Sequence, residues 1–164
     1  MRLKISKNYS PNFSLPKRPH KKIKFVVIHY TGMKKESLAI KRLCSPVTKV
    51  SSHYFLKKNG GILELVPDLY EAWHAGKSSW KKYSSLNKYS IGIEIQNSGH
   101  DNSYENFSSK QIISLKSLLK YLVKTYKIDK KNKFLKVLGR NGMPKGLPDP
   151  REVVSPQGKV AKLP

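Results

Sequence analysis

The chain has 164 residues, the length of a single domain, and 38% of them are apolar, which excludes a chain that is disordered throughout. It contains no run of about 18 apolar residues, so the sequence excludes a membrane-spanning helix. Lys and Arg total 33 against 10 Asp and Glu, for a net charge of +23 that attracts polyanions. The lysines are spread along the chain without an Arg and aromatic motif, so a solvated surface is favoured over a nucleic-acid-binding patch.

Cys44 is the single cysteine, which excludes an internal disulfide and a zinc cluster of thiolates. Residues 1–13 are basic and polar and lack the apolar segment of a secretory signal. We therefore expect a cytoplasmic protein, with a periplasmic or extracellular location left open. We also expect a monomer.

The first half of the chain predicts strands around one short helix. Residues 1–22 combine three prolines with lysines, as is typical of an extended basic arm. The apolar run at 24–30 predicts a central strand, and the apolar spacing at 37–44 predicts a helix that ends before Pro46. Two further strands, at 51–57 and 62–66, flank an Asn-Gly-Gly turn and predict a hairpin.

The second half adds a strand and the longest helix. A short strand end at 72–76 precedes a Ser- and Lys-rich loop, and 90–96 alternates isoleucines with polar residues, as in a strand with one polar side. Ser108 and Gln111 form a capping-box pattern at the start of a helix, and 137–138 predicts a last strand. Strands alternating with helices predict an α/β domain, a mixed sheet flanked by helices.

Three side chains are candidates for chemistry on position alone. His29 ends the first buried strand, where ligands of open α/β sheets bind, although such a histidine is as often structural. Glu94 lies on the polar side of its strand and serves either as a general base or as a solvated carboxylate. Asp149, between two prolines, is either a metal ligand or a turn aspartate.

Taken together with their neighbours, these residues resemble one family. The matching motifs, in order, are FVVIHYT at 25–31, SHY at 52–54, WHAG at 73–76 and SIGIE at 90–94. They resemble the zinc-dependent N-acetylmuramoyl-L-alanine amidases, which are related to the peptidoglycan recognition proteins. The resemblance covers residues 24 to about 139.

This resemblance implies hydrolysis of the amide bond between N-acetylmuramic acid and L-alanine in peptidoglycan or muropeptides. It implies zinc as cofactor, with His29 and Asp149 as ligands, and Glu94 as the catalytic acid and base. The resemblance also implies substrate contacts by a set of side chains comprising Tyr30, Trp73, His74 and Lys145. The amidase-like domain would then span 23–150, between the arm at 1–22 and a divergent tail at 151–164.

The chain departs from the family pattern near its C-terminal end. Arg140 stands where the family has its second histidine ligand, and an arginine cannot bind zinc. Leu147 replaces the lysine that stabilises the oxyanion, so Lys145 would have to take its place. His53, His74 and His100 are the other histidines of the domain that could complete the metal site. The alternative is a module that binds muropeptides without cleaving them.

Overall fold

The computed structural model describes residues 3–103, 105–129 and 134–136, with only the backbone of 134–136 and of His100. The strands are β1 (Ile5–Lys7), β2 (Phe13–Ser14), β3 (Phe25–Tyr30), β4 (Tyr54–Leu56), β5 (Ile62–Glu64), β6 (Glu71–Ala72), β7 (Ser79–Trp80), β8 (Tyr83–Ser84), β9 (Ser90–Ile95) and β10 (Phe134–Lys136). The α-helices are α1 (Glu36–Cys44) and α2 (Ser109–Tyr126), and short 3-10 helices cover His20–Lys22, Leu86–Tyr89 and His100–Asn102.

A mixed six-stranded sheet forms the centre, in the order β1-β5-β4-β9-β3-β10. Only the β4–β5 hairpin is antiparallel, and the other neighbours in this sheet run parallel. Strands β3 and β9 lie inside the sheet, which agrees with their nearly continuous apolar sequence. Two small antiparallel pairs, β2 with β6 and β7 with β8, lie outside it.

Helix α2 covers one face of the sheet. Its leucines are fully or almost fully buried against isoleucines of β9 and apolar side chains of β3 and β4, and they comprise Leu115, Leu118, Leu119 and Leu122. Each such burial stabilises the fold by about 1.5–3 kcal/mol. The predicted capping box is present, since Ser108 Oγ accepts from Gln111 N at 3.1 Å and Gln111 Oε1 accepts from Ser108 N at 3.0 Å. The Gln111 amide also donates to Gln96 O at 2.8 Å, which joins the start of α2 to the residue after β9.

The opposite face carries the polar side chains of β9. Helix α1 buries Ala39 and Leu43 there against Phe55 and Leu65, and this apolar cluster covers only part of the face. Because side chains alternate along a strand, Phe25, Val27 and His29 of β3 lie on this face, away from α2. We call it the histidine face, after His29, His53 and His74.

The predicted fold class, a mixed sheet flanked by helices, is confirmed, and the strands predicted at 24–30 and 90–96 and the hairpin are present. The strand predicted at 137–138 lies outside the described residues. The structure adds β1 and β2, which no pattern in the proline- and lysine-rich segment predicts. Among the described residues, neither α-helix is sufficiently long and apolar to cross a bilayer.

Candidate active site

His29 and Glu94 lie side by side on the histidine face. They are register partners on the parallel strands β3 and β9, each one residue before the end of its strand. Side chains at paired positions of neighbouring strands point to the same face, so an imidazole and a carboxylate share this edge of the sheet. Phe55 of β4 is the register partner of Glu94 on its other side and supplies an apolar neighbour.

Burial disfavours the ionised form of the Glu94 carboxyl. Its Oε2 is buried and has no hydrogen-bond partner within the described part of the chain. Burial raises the pKa of the Glu94 carboxyl to about 8, and the Arg42 charge acts weakly in the opposite direction. A carboxyl with a pKa near neutrality can both take up and release a proton, as a general acid and base must.

His29 is a buried, neutral imidazole. Its side chain lies on the histidine face with 9% exposure, and burial lowers its pKa to about 4. Its Nε2 lies 3.1 Å from Nδ1 of His74, and the two rings meet at an angle of 73°. The ring therefore carries a lone pair on one nitrogen at neutral pH, as a metal ligand must.

His74 reaches the site from the loop after β6. Its main-chain N–H and that of Ala75 donate to Asn87 Oδ1 at 3.2 and 2.8 Å, so Asn87 holds the loop. Its Nε2 lies 3.1 Å from Ser90 Oγ at the start of β9. Burial and the nearby His29, His53 and Arg18 hold the pKa of His74 well below its usual value. The structure places the His74 ring between His29 and Ser90. The expected contact of His74 with substrate stays a prediction.

Gly92 makes room for the His74 ring. A Cβ at Gly92 would lie 2.4 Å from His74 Cγ, far inside van der Waals contact, so only glycine admits the ring at this point of β9. Glycine in the interior of a strand often marks such a close approach. That signal was present in the sequence and could have identified the contact.

Arg18 and His53 form the layer beneath His74. His53 is fully buried, its Nδ1 accepts from Gly92 N at 2.9 Å, and its Nε2 is 3.0 Å from the carbonyl oxygen of Tyr70. Arg18, only 5% exposed, places Nη2 2.9 Å from that Nε2 and donates to the carbonyl oxygens of Asp68 and Asn87. Both ring nitrogens of His53 are thus engaged, which is typical of a structural histidine. No pattern in the sequence marks Arg18 as part of this layer.

Tyr30 follows His29 and Trp73 precedes His74 in the sequence. Trp73 is partly buried, and its indole N–H donates to Ser14 Oγ at 2.8 Å, which ties it to β2. Tyr30 ends β3 and is partly exposed beside Gly99, whose Cβ would lie 3.1 Å from its ring. Of the expected site residues, Asp149 and Lys145 lie outside the described residues. Arg140 lies there as well.

No cluster of three His, Cys, Asp or Glu side chains suited to a metal ion occurs within 3–103, 105–129 and 134–136. The described residues supply His29 as one neutral nitrogen donor and Glu94 as a carboxylate with an unpartnered oxygen. This donor set fits zinc at one ligand position. A catalytic zinc site needs two more protein ligands.

The chain is similar in sequence to known proteins. The sequence pattern of the N-acetylmuramoyl-L-alanine amidase family matches residues 19–152. The N-acetylmuramoyl-L-alanine amidase AmiD of Escherichia coli K12 is 38% identical over 124 residues, which cover 68% of this chain and 44% of AmiD. The chain spans less than half the length of the curated relatives it matches first.

Solved structures share the fold. AmiD of E. coli in complex with anhydro-N-acetylmuramic acid-L-Ala-D-gamma-Glu-L-Lys superposes with a TM-score of 0.61 at 33% identity, over 75% of this chain and 50% of that one. AmpDh3 of Pseudomonas aeruginosa in complex with anhydromuramic pentapeptide gives a TM-score of 0.65 at 28% identity, over 80% of this chain and 58% of that one.

Proposed function

The chain belongs to the N-acetylmuramoyl-L-alanine amidase family, and we propose that it hydrolyses the amide bond between the lactyl group of N-acetylmuramic acid and L-alanine. The observation that carries this proposal is the pairing of His29 with Glu94 at one edge of the sheet. It brings a neutral nitrogen donor next to a carboxyl whose pKa lies near neutrality.

Muropeptides are the proposed substrates. Two relatives have been solved with anhydromuropeptides, which supports this substrate class for the present chain. The net charge of +23 favours the same class, because stem peptides carry free carboxylates that a basic surface attracts. Tyr30, Trp73 and His74 are the proposed substrate contacts among the described residues. Lys145 is the proposed contact from the C-terminal segment.

Zinc is the proposed cofactor, held by His29 and Asp149. When bound, zinc supplies an activated water and polarises the amide carbonyl. Arg140 stands where the second histidine ligand is expected, and its fixed positive charge opposes a cation. We therefore expect this chain to bind zinc more weakly than a site with three protein ligands would.

Glu94 carries the proton in the proposed reaction. The carboxylate accepts a proton from the attacking water as the carbon–oxygen bond forms. The resulting carboxylic acid then gives that proton to the nitrogen of L-alanine as the carbon–nitrogen bond breaks. Its buried Oε2 disfavours the charged state, so the proton is held between the two steps.

The test is a hydrolysis assay with a purified anhydromuropeptide on the full chain, with zinc content measured on the same sample. Release of the stem peptide with about one zinc per chain is the expected result. Protein that is saturated with zinc and releases no stem peptide would contradict the proposal.

A second candidate function is the binding of muropeptides without hydrolysis. The observations that favour it are Arg140 and Leu147, which remove an expected ligand and an expected oxyanion donor. Titration calorimetry with the same anhydromuropeptide separates the two functions. Protein that binds the muropeptide and leaves it intact even when excess zinc is supplied would establish the binding module.

A further inference from the structure

A chain of hydrogen bonds runs from β9 to His29. Ser90 Oγ donates to the carbonyl oxygen of Leu86 at 2.6 Å and lies 3.1 Å from His74 Nε2. His74 Nδ1 in turn lies 3.1 Å from His29 Nε2. This series of hydrogen bonds therefore contains a hydroxyl and two imidazoles and ends on the main-chain carbonyl of Leu86.

The main-chain carbonyl of Leu86 determines which atom donates in each of these hydrogen bonds. A main-chain carbonyl only accepts, so the single hydrogen of the Ser90 hydroxyl is directed at Leu86 O. Ser90 Oγ must then accept from His74, which places a hydrogen on His74 Nε2. A neutral imidazole has one N–H, so His74 Nδ1 carries a lone pair and accepts from His29 Nε2. His29 is left with its own lone pair on Nδ1.

The surroundings favour neutral rings in this chain. Arg18 lies beneath His53, whose ring centroid is 5.7 Å from that of His74, so a positive charge on His74 would be added beside a buried guanidinium. His29 is buried and His74 is partly buried within the histidine face. When both rings are neutral, the carbonyl of Leu86 alone determines which nitrogen of each ring carries the hydrogen.

Neighbouring residues hold the His74 ring between Ser90 and His29. Gly92 leaves the space for the ring, and Asn87 Oδ1 accepts from the main-chain N–H of His74. Leu86 and Asn87 belong to the same 3-10 helix, so one short element fixes both the start of the hydrogen-bond chain and the loop that carries His74.

We propose that Ser90 and His74 are positioning residues that hold His29 in the tautomer with its hydrogen on Nε2, so that Nδ1 is the nitrogen available to a metal ion. The inference rests on the proposed role of His29 as a ligand. It goes beyond that role because it assigns the ligating atom and the residues that select it. Hydrogen-bond partners of this kind orient metal-binding histidines and typically change metal affinity by 10- to 100-fold.

The first experiment is nuclear magnetic resonance on the full chain, freed of metal and labelled with 15N at histidine. Long-range 1H–15N spectra at neutral pH distinguish a nitrogen that carries hydrogen from one that does not. We expect hydrogen on Nε2 of both His29 and His74. Hydrogen on Nδ1 of His29 would overturn the proposal, and this test needs no variant.

The variant Ser90→Ala removes the side-chain acceptor for His74 Nε2. His74 can then carry its hydrogen on either nitrogen, so we expect His29 to show both tautomers and zinc affinity to fall about tenfold or more. Ser52→Ala is the matched control, because the buried Ser52 hydroxyl also donates to a main-chain carbonyl, that of Tyr54, at 3.0 Å. A single His29 tautomer in Ser90→Ala, equal to that of the control, would overturn the role of Ser90.

The variant His74→Gln retains an acceptor for His29 and a donor for Ser90. We expect it to preserve the His29 tautomer, and a switch of the hydrogen to Nδ1 would contradict the role of His74 as a simple acceptor. Failure of the proposed function has a different signature. A His29 tautomer as predicted, in a chain that neither binds zinc nor cleaves muropeptide, would leave the positioning role intact and reject the amidase.

Discussion

Glu94 and His29 are register partners on neighbouring parallel strands, and they share the face of the sheet that α2 leaves uncovered. The partnership is set by main-chain pairing, so the distance between the two side chains depends on the sheet and not on a loop. A substitution that preserves the strand can therefore change the chemistry at this edge without moving its parts.

Glu94→Gln tests the proton carrier. The amide is nearly isosteric with the carboxyl but cannot accept and return a proton, so we expect hydrolysis of the muropeptide to be abolished. Binding of the same muropeptide, measured by titration calorimetry, should remain within a fewfold of the unmodified chain. Turnover retained in this variant would reject Glu94 as the acid and base.

Arg140→His tests the missing ligand. Adding an imidazole where the family places its second histidine should raise zinc affinity by well over tenfold. Arg140→Gln is the control, because it removes the positive charge without supplying a ligand. Competition with a chelator measures both variants. Equal zinc affinity in the two variants would show that position 140 is not a ligand position.

Gly92→Ala tests the space beneath His74. A methyl group 2.4 Å from His74 Cγ forces the ring or β9 to move, and overpacking of this kind costs about 1–3 kcal/mol of the free energy of unfolding. Gly61→Ala is the comparison, since its nearest contacts, Asn59 Oδ1 at 3.1 Å and Lys57 Cδ at 3.3 Å, belong to flexible side chains. Urea denaturation of both variants checks the difference. Equal losses in the two would mean that the ring has room to move.

Asp68→Asn tests a pH dependence away from the candidate active site. Asp68 is buried, and burial with the nearby Glu64 raises its pKa, although the Tyr126 hydroxyl, which donates to Oδ2 at 2.7 Å, and the Arg18 charge act in the opposite direction. The folded state therefore holds this proton more tightly than the unfolded state, where the pKa is about 3.9. The resulting stabilisation is complete below about pH 4 and is lost as the pH rises through the folded pKa.

Asparagine has no such proton and can still accept from Tyr126. The free energy of unfolding of the natural chain, relative to Asp68→Asn, should accordingly fall as the pH rises from about 4. Urea denaturation across pH 4 to 7 measures this difference. A difference that stays constant, or rises with pH, would show that the folded state does not raise the pKa of Asp68.

The sequence predicted the parts of the site that depend on local pattern. The alternation of Ile91, Ile93 and Ile95 with Gly92 and Glu94 assigned Glu94 to the polar side of its strand, and the structure has this arrangement. The apolar run before His29 similarly indicated a central strand. Patterns with the period of a strand or helix carry this information because they follow from main-chain geometry.

Contacts between distant segments were beyond the sequence patterns. Arg18 stands among lysines and prolines in a segment with the composition of a solvated arm, yet its guanidinium is buried against His53. The hydrogen bond from Trp73 to Ser14 joins positions 59 residues apart. No periodicity marks such pairs, since each depends on the completed packing of the sheet and its loops.

The burial of Arg18 determines where the domain can be cut. The family pattern begins at residue 19, so a fragment trimmed to that boundary would lack this guanidinium. The carbonyl oxygens of Asp68 and Asn87 would then lose donors at 2.8 and 2.7 Å. Asp68 is buried, and an unsatisfied buried group costs about 1–3 kcal/mol. A boundary drawn by similarity would therefore weaken the layer that supports His53 and His74, although every residue of the family pattern would still be present.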